Sequence, residues 1–491
     1  MKNVIYIIAD QMRWDALACN GAEFMKTPNF DRLAREGVNF SCTYSGNPVC
    51  VPARGILATG CWSHICMDPE ALNGNGGRIM PEHIHIARLL KQQGYGTYGI
   101  GKCHAIPYKI NHGFDVFEVA EEGRLEMGRH NGTVPEDAVE DYIEYLKCEG
   151  YEGMQRAHGI GNNDARAGAA PLPEEHYVDT WATTRSLECL DQHLKSQRGN
   201  PFYLQLGFVK PHAPYDPPAP YDRMYDPREI PPPWGSEADL EGRNPAMKSF
   251  PDQYLLNRMS PMAVLYSRAH YFGLVSFLDK QVGRILDWLD QNNLADETIV
   301  VFTSDHGDNI GDHGLFFKTF FTEGAARIPF LLRAPGLDSN EVPCPVGQED
   351  VMPTICDLLG VNIPNEVNGE SLVKLANGTG GKERQYAVSQ HLSGNDMTLM
   401  IRDEQYKYCF ARYGATEELY DMKNDPHELN NLSKEPAMKD KLMAMRHLAQ
   451  DWCMESGHEP LMKDSGELWA SEYNHEKMTR LPHEVMGIRP W

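Results

Sequence analysis

The chain has 491 residues, a formal net charge of −23 and a composition that is 41% hydrophobic and 10% aromatic, which excludes global disorder. The acidity excludes a general nucleic-acid binder, which needs clustered Lys and Arg against phosphate, but allows a small anionic ligand in a local positive pocket. At roughly 100–200 residues per domain, two or three domains are expected.

The apolar run at 4–9 predicts a buried strand of a parallel sheet that stops at Asp10. It is too short for a signal-peptide core and lacks a small-residue cleavage site. No apolar stretch reaches the roughly 20 residues that span a bilayer. The chain is therefore expected to be soluble, with no membrane or nucleic-acid partner. It is expected to be cytoplasmic if the N-terminus is native, and periplasmic or secreted if a signal peptide was removed. In the segment from Asn47 to Gly60, Pro52 suits the first turn of a helix, which places Cys50 just before a helix N-terminus and Arg54 one turn in. A helix is expected over 81–93 and a strand over 96–100. The polar, Gly-rich stretch 121–175 and the Pro-rich stretch 211–261 read as surface excursions suited to substrate recognition, with a strand at 202–208 between them. Leu274, Phe277, Leu278, Val282, Ile285, Leu286 and Leu289 recur at helix-face spacing and predict a helix over 263–291. Strands follow at 299–303 and 328–332.

Strands alternating with helices imply an α/β fold with a parallel sheet. Beyond about residue 380 the character shifts to a hairpin over 397–411, a strand over 418–422 and an amphipathic helix over 434–455. Two domains are therefore expected, 1–380 and a smaller C-terminal α+β domain with an extended tail, 381–491. The tail holds Trp469, Tyr473 and Trp491. The twelve cysteines have neither the spacing of a disulfide framework nor that of a paired zinc site, so most are expected to be buried thiols.

Asp10, Lys102, His104, His212, Asp305 and His306 each fall just after an expected strand. Any one could be the polar residue at which a strand meets solvent. Gathered on one sheet edge they form a candidate active site, because ligands of open α/β sheets bind outside the carboxyl ends of the strands. Asp10, Gln11, Asp305 and His306 offer oxygen ligands and an imidazole, a set that suits Ca²⁺, Mg²⁺ or Mn²⁺. Asp308 reads as a loop or helix-capping carboxylate rather than a ligand, and His313 as structural or solvated. His83 and His85 read as helix-face residues, and His64 as a residue that could line the substrate pocket. On its residues alone, Cys50 is either a low-pKa nucleophile or an inert packed thiol.

Cys50-Val51-Pro52-Ala53-Arg54 and the following Ile56 to Gly60 resemble the signature of the sulfatase family, within the alkaline-phosphatase-like superfamily. Ile8-Ala9-Asp10, Gly101 to His104, Lys210-Pro211-His212 and Thr303 to Gly307 resemble that family in order and spacing, as does the segment from Glu418 to Leu432. The resemblance implies a large, mixed but mostly parallel sheet sandwiched by helices. It also implies that a separate maturation enzyme oxidises Cys50 to formylglycine. It further implies that Asp10, Gln11, Asp305, His306 and residue 50 hold one divalent metal ion, Ca²⁺ by family habit with Mn²⁺ as the alternative. Asp305 would also help deprotonate the attacking hydroxyl. Arg54 and Lys102 would stabilise the diol, and His212 and Lys318 would bind sulfate and assist the leaving alcohol. His212 is the favoured general acid, and His104 would deprotonate the second hydroxyl.

Gln11 and His306 stand where many sulfatases carry Asp and Asn, a combination closer to the choline-sulfatase and phosphonate monoester hydrolase branches. The leading function is thus hydrolysis of a small anionic sulfate ester, of a sulfated sugar or another small molecule. Cleavage of phosphonate monoesters or phosphodiesters at the same site is the alternative. A catalytically silent binding protein and an unmodified Cys50 thiolate enzyme are further alternatives. A homo-oligomer is compatible with the sequence.

Overall fold

The computed structural model describes residues 2–68, 78–104, 109–123, 125, 138–197 and 199–472. Among the described residues, eleven strands precede residue 387. They are β1 (Asn3–Asp10), β2 (Val38–Asn39), β3 (Thr43–Tyr44), β4 (Gly96–Gly101), β5 (Val116–Val119) and β6 (Phe202–Pro211). They continue with β7 (Thr298–Ser304), β8 (Arg327–Ile328), β9 (Phe330–Arg333), β10 (Asn340–Glu341) and β11 (Val346–Gly347). Eight of them form one sheet in the order β10-β2-β9-β7-β1-β6-β4-β5. The run β7-β1-β6-β4-β5 is parallel, whereas β9 is antiparallel to both of its neighbours.

β1 shows why this sheet is buried on both faces. Ile5, Ile7 and Ala9 point into one core with Phe30, Trp181, Leu274, Phe277 and Leu286. Val4, Tyr6 and Ile8 point into the opposite core with Leu57, Leu90, Met352 and Ile355. Successive side chains on a strand face opposite ways, so a strand apolar at every position needs helices on both sides. The first layer comprises the helices Pro28–Arg35, Val178–Ser196 and Pro261–Gln291. The second comprises Cys50–Thr59, Ile86–Gln92 and Val351–Leu359. Ser260 caps the 31-residue helix by accepting from the Ala263 N–H.

Several expected elements are redrawn. The helix expected over 81–93 begins only at Ile86, because the His85 side chain caps it by accepting from the Ala87 N–H at 3.1 Å. His85 is thus a cap rather than a helix-face residue, and His83 lies in the preceding turn with Nδ1 3.6 Å from Cys61 Sγ. The strand expected over 328–332 is split at Pro329, which cannot donate to a ladder. β8 joins a small three-stranded sheet, β11-β3-β8, and only β9 enters the large one.

The C-terminal part is an antiparallel sheet of β12 (Ala387–His391), β13 (Thr398–Arg402), β14 (Tyr406–Ala411) and β15 (Thr416–Asp421), in that order. The helix Lys439–Ser456 packs on it through Leu442, Met445, Ala449 and Trp452. It starts later than the expected residue 434, because the short 3₁₀ turns Leu432–Lys434 and Pro436–Met438 precede it. Trp469 lies near the Arg412 guanidinium, while Tyr473 and Trp491 fall outside the described residues. All twelve cysteines are free, most of them buried. No described helix is long and apolar enough to cross a membrane.

Candidate active site at the carboxyl edge of the sheet

The carboxyl ends of the parallel strands converge as expected. The β1–β6 register shifts between Ile8 and Asp10, so Asp10 pairs across from Pro211, next to His212. On its other side, the Asp305 N–H donates to the Ala9 carbonyl at 3.2 Å. Lys102 follows β4 at a close backbone crossing. A Cβ on Gly207 would lie 2.0 Å from the Lys102 carbonyl oxygen, and one on Gly101, at φ +91°, would lie 2.1 Å from the Gly207 oxygen. Only glycine fits at either position.

Cys50 is the first residue of the Cys50–Thr59 helix, so the positive end of that helix faces the site. Its Sγ lies 3.1 Å from His306 Nε2, 3.1 Å from Lys318 Nζ and 3.8 Å from Asp10 Oδ1. Asp10, Cys50, Asp305 and His306 are buried, and one ligand atom from each lies within 4.8 Å of all the others. His306 Nδ1–H donates to the Gly307 carbonyl at 2.9 Å, which turns Nε2 toward Cys50. Gln11 donates its backbone N–H to Asp305 Oδ1 at 3.0 Å, and its Oε1 accepts from Lys318 Nζ at 2.7 Å.

Three cations surround these carboxylates. Arg54 Nε donates to Asp305 Oδ2 at 2.9 Å, and its Nη1 donates to the Lys102 carbonyl at 2.7 Å. Lys102 pairs with Asp10 and, at 2.7 Å, with Glu122. Burial alone would push the Asp10 carboxyl up, but Lys102, His212, Lys318 and Arg54 together hold it well below the usual range. Burial and Asp10 push the Cys50 thiol up, yet Lys318 and His306 outweigh them and leave it below its ordinary value. Burial also opposes a charged His306, against which Asp305 and Cys50 raise it.

His212 is buried between two cis peptides, Lys210–Pro211 and Ala213–Pro214. Its Nδ1–H donates to the Ala213 carbonyl at 2.7 Å, and the same nitrogen lies 3.6 Å from Glu122 Oε1. His104 is held by its backbone N–H on Glu121 Oε1 at 2.7 Å and borders the same small cavity as Arg54. The structure therefore brings together Asp10, Gln11, Cys50, Arg54, Lys102, Asp305, His306 and Lys318 by direct contact. His212 joins them through Glu122, and His104 through its cavity beside Arg54.

Glu121 and Glu122 were not legible in the sequence. They follow β5, a mostly half-buried strand whose four residues, Val116 to Val119, make too short a run to stand out, although they repeat the pattern of polar residues after a strand. Asp308 is not in the ligand cluster. Its Oδ1 accepts from the Ile310 and Phe317 N–H groups, and its Oδ2 from Gln11 Nε2 and Tyr215 O–H. His313 lies 3.8 Å from Asp239, and His64 packs against Trp62, Trp452 and His458 in the seam with the C-terminal sheet.

The donor chemistry fits a divalent cation: two carboxylates, an oriented amide oxygen and an imidazole nitrogen converge in a buried volume. A family profile described as Sulfatase matches residues 2–361, and one described as N-sulphoglucosamine sulphohydrolase, C-terminal, matches residues 311–452. The chain is 30% identical to an arylsulfatase of Clostridium perfringens, over 91% of this chain and 93% of the relative. It is 31% identical to the multifunctional alkaline phosphatase superfamily protein PehA of Trinickia caryophylli, over 89% and 92%. Its fold matches that of a phosphonate monoester hydrolase of Agrobacterium radiobacter at a TM-score of 0.76 and 21% identity, covering 96% of this chain and all of that one. With the profile spanning most of the chain, the chain belongs to the sulfatase family.

Proposed function

We propose that the protein hydrolyses a small anionic sulfate ester, using formylglycine made from Cys50 and one divalent metal ion held by Asp10, Gln11, Asp305, His306 and residue 50. The observation that carries this reading is the placement of Cys50 at a helix N-terminus, in contact with both His306 and Lys318. In this structure the thiol stands where the aldehyde hydrate would stand. The metal supplies Lewis acidity and charge neutralisation to that residue. The hydrate supplies a nucleophilic hydroxyl, and a second hydroxyl whose deprotonation expels sulfate and restores the aldehyde.

The chain's own groups do the rest. Asp305 accepts the proton of the attacking hydroxyl. Arg54 and Lys102, already buried and fixed against Asp305 and Asp10, hold the charged oxygens without reorganising. Lys318 reaches the residue-50 atom and binds a sulfuryl oxygen. His212 gives a proton to the departing alcohol, and His104 takes one from the second hydroxyl. Burial, followed by Lys318, holds the free His212 imidazole well below its ordinary value, against the pull of Glu122 and Asp10. An anionic ester arriving beside it favours the protonated ring.

The Gln11–His306 pair supports a second reading, phosphonate monoester or phosphodiester cleavage, because the same cations can hold a phosphoryl oxyanion. Ca²⁺ is the ion by family habit and Mn²⁺ the alternative, which the imidazole and the neutral amide in place of a further carboxylate keep open. A separate maturation enzyme supplies the oxidation of Cys50. Peptide mass spectrometry of protein from a competent host should show the Cys50 peptide lighter by about 18 Da, as oxygen replaces sulfur and two hydrogens are lost. Full activity with unmodified Cys50 would exclude this chemistry. Parallel assays on aryl sulfate and phosphonate monoester decide the substrate class, and phosphonate turnover higher by orders of magnitude would overturn the sulfatase assignment.

A further inference from the structure

The Asp308 carboxylate is fully buried and saturated by four donors that come from three parts of the active edge. Oδ2 accepts from Gln11 Nε2 at 2.5 Å and from the Tyr215 hydroxyl at 2.6 Å. Oδ1 accepts from the Ile310 N–H at 2.9 Å and the Phe317 N–H at 2.7 Å. Phe317 immediately precedes Lys318, and Tyr215 lies three residues beyond His212.

The two ends of the Gln11–Asp308 contact are themselves fixed. The Gln11 backbone carbonyl accepts from the Tyr271 hydroxyl at 2.8 Å, and its N–H is held by Asp305. The Asp308 carbonyl accepts from Arg13 Nη1 at 2.9 Å. With both backbones held and the two ends of the amide placed against Asp308 and Lys318, the remaining choice is which face of the amide, of two with opposite polarity, meets which partner. A carboxylate can only accept, so Asp308 accepts one face, the NH₂ group, and turns Oε1 toward Lys318 and Cys50.

We propose that Asp308 is a positioning residue that sets the polarity of the Gln11 amide, so that an oxygen rather than an NH₂ group is offered to the metal site. This rests on the ligand set proposed above. In Asp308→Asn the oxygen must stay on the Ile310 and Phe317 N–H groups, since turning it would set an NH₂ group against two backbone donors. The new NH₂ group then faces Gln11 Nε2, donor against donor. The Gln11 amide then either turns over, setting NH₂ against the cation site and Lys318, or keeps Oε1 on Lys318 with its NH₂ group pressed on another donor; both weaken the oxygen offered to the metal.

The test is Mn²⁺ binding to metal-stripped protein by calorimetry, on the wild type, Asp308→Asn, Gln11→Ala and the double variant. Asp308→Asn should weaken Mn²⁺ binding by about 10-fold or more, as loss of a partner that orients a metal ligand does. Gln11→Ala should weaken it comparably, and adding Asp308→Asn to Gln11→Ala should then cost nothing further. A role limited to supporting the loops would leave the Asp308→Asn loss intact in the Gln11→Ala background and overturn the proposal. Wild-type affinity in Asp308→Asn would overturn it as well. Wild-type protein that takes up no Mn²⁺ would instead overturn the metal reading on which it rests. Should Asp308→Asn not fold, a crystal structure of the Mn²⁺-loaded wild type decides the point. The proposal requires Oε1 on the ion and Nε2 on Asp308, and the reverse orientation overturns it.

Discussion

His212 has one ring nitrogen committed to the Ala213 carbonyl, so a single nitrogen, Nε2, is left to exchange a proton in the site. A group acting as general acid matters most when the departing alkoxide is basic. His212→Gln should therefore slow turnover of an alkyl sulfate by about 10²–10⁴-fold while slowing a nitrophenyl sulfate far less. Equal losses on both substrates would show that the ring only binds sulfate. Which single residues were legible beforehand follows from where they sit. Asp10, Lys102, His212, Asp305 and His306 directly follow apolar strands, so their shared edge could be inferred from chain order. Glu122 reaches Lys102 and His212 only through folding of a polar excursion, and no local pattern announces such a contact. Asp308 was legible as a loop carboxylate, but its bond to Gln11 spans 297 residues of chain.

Among the elements, the helix Val178–Ser196 carries the heaviest positional duty, for it docks onto the end of β6 just before His212. Asp179, in its first turn, accepts from the Val209 N–H at 2.7 Å and the Lys210 N–H at 3.3 Å. Burial pushes the Asp179 carboxyl up to about 7, against those hydrogen bonds and the Lys210 charge. An unfolded Asp titrates at about 3.9. The folded protein thus binds this proton more tightly, and the stability it confers is complete below about pH 4 and lost as pH rises toward 7. Asp179→Asn does not titrate, so thermal melts should show the wild type gaining on the variant as pH falls from 8 to 5. A constant difference would show the carboxylate to be ionised throughout. The sequence reading missed this helix because Thr183 and Ser186 interrupt its apolar face. In the fold both are buried, their hydroxyls turned back onto the Asp179 and Ala182 carbonyls. The strands were more readable, since burial on both faces makes them continuous apolar runs, and Pro329 shows where such a run can still be cut.

Across the whole molecule, we propose 1–380 and 381–491 as the two domains, joined tightly enough to unfold together. Lys407 of β14 is fully buried and pairs with Glu428 at 2.8 Å and with Glu323 at 3.0 Å, five residues beyond Lys318. Glu323 also accepts from the Tyr44 hydroxyl at 2.9 Å. Burial raises the Glu323 carboxyl, but Lys407, Arg327 and Arg402 hold it down at about 2. Lys407→Met would strand two carboxylates in the seam and should cost about 3–5 kcal/mol in denaturant unfolding. The wild type should melt in one calorimetric transition, and two resolved transitions would separate the domains. Gly101 and Gly207 are partners in the β4–β6 ladder, where the backbones close to within the space of a methyl group. A slip of one residue would drive Leu206 or Phe208 into that gap. The pair therefore works as a key for the sheet, indexing the lysine of one strand against the histidine beyond the next.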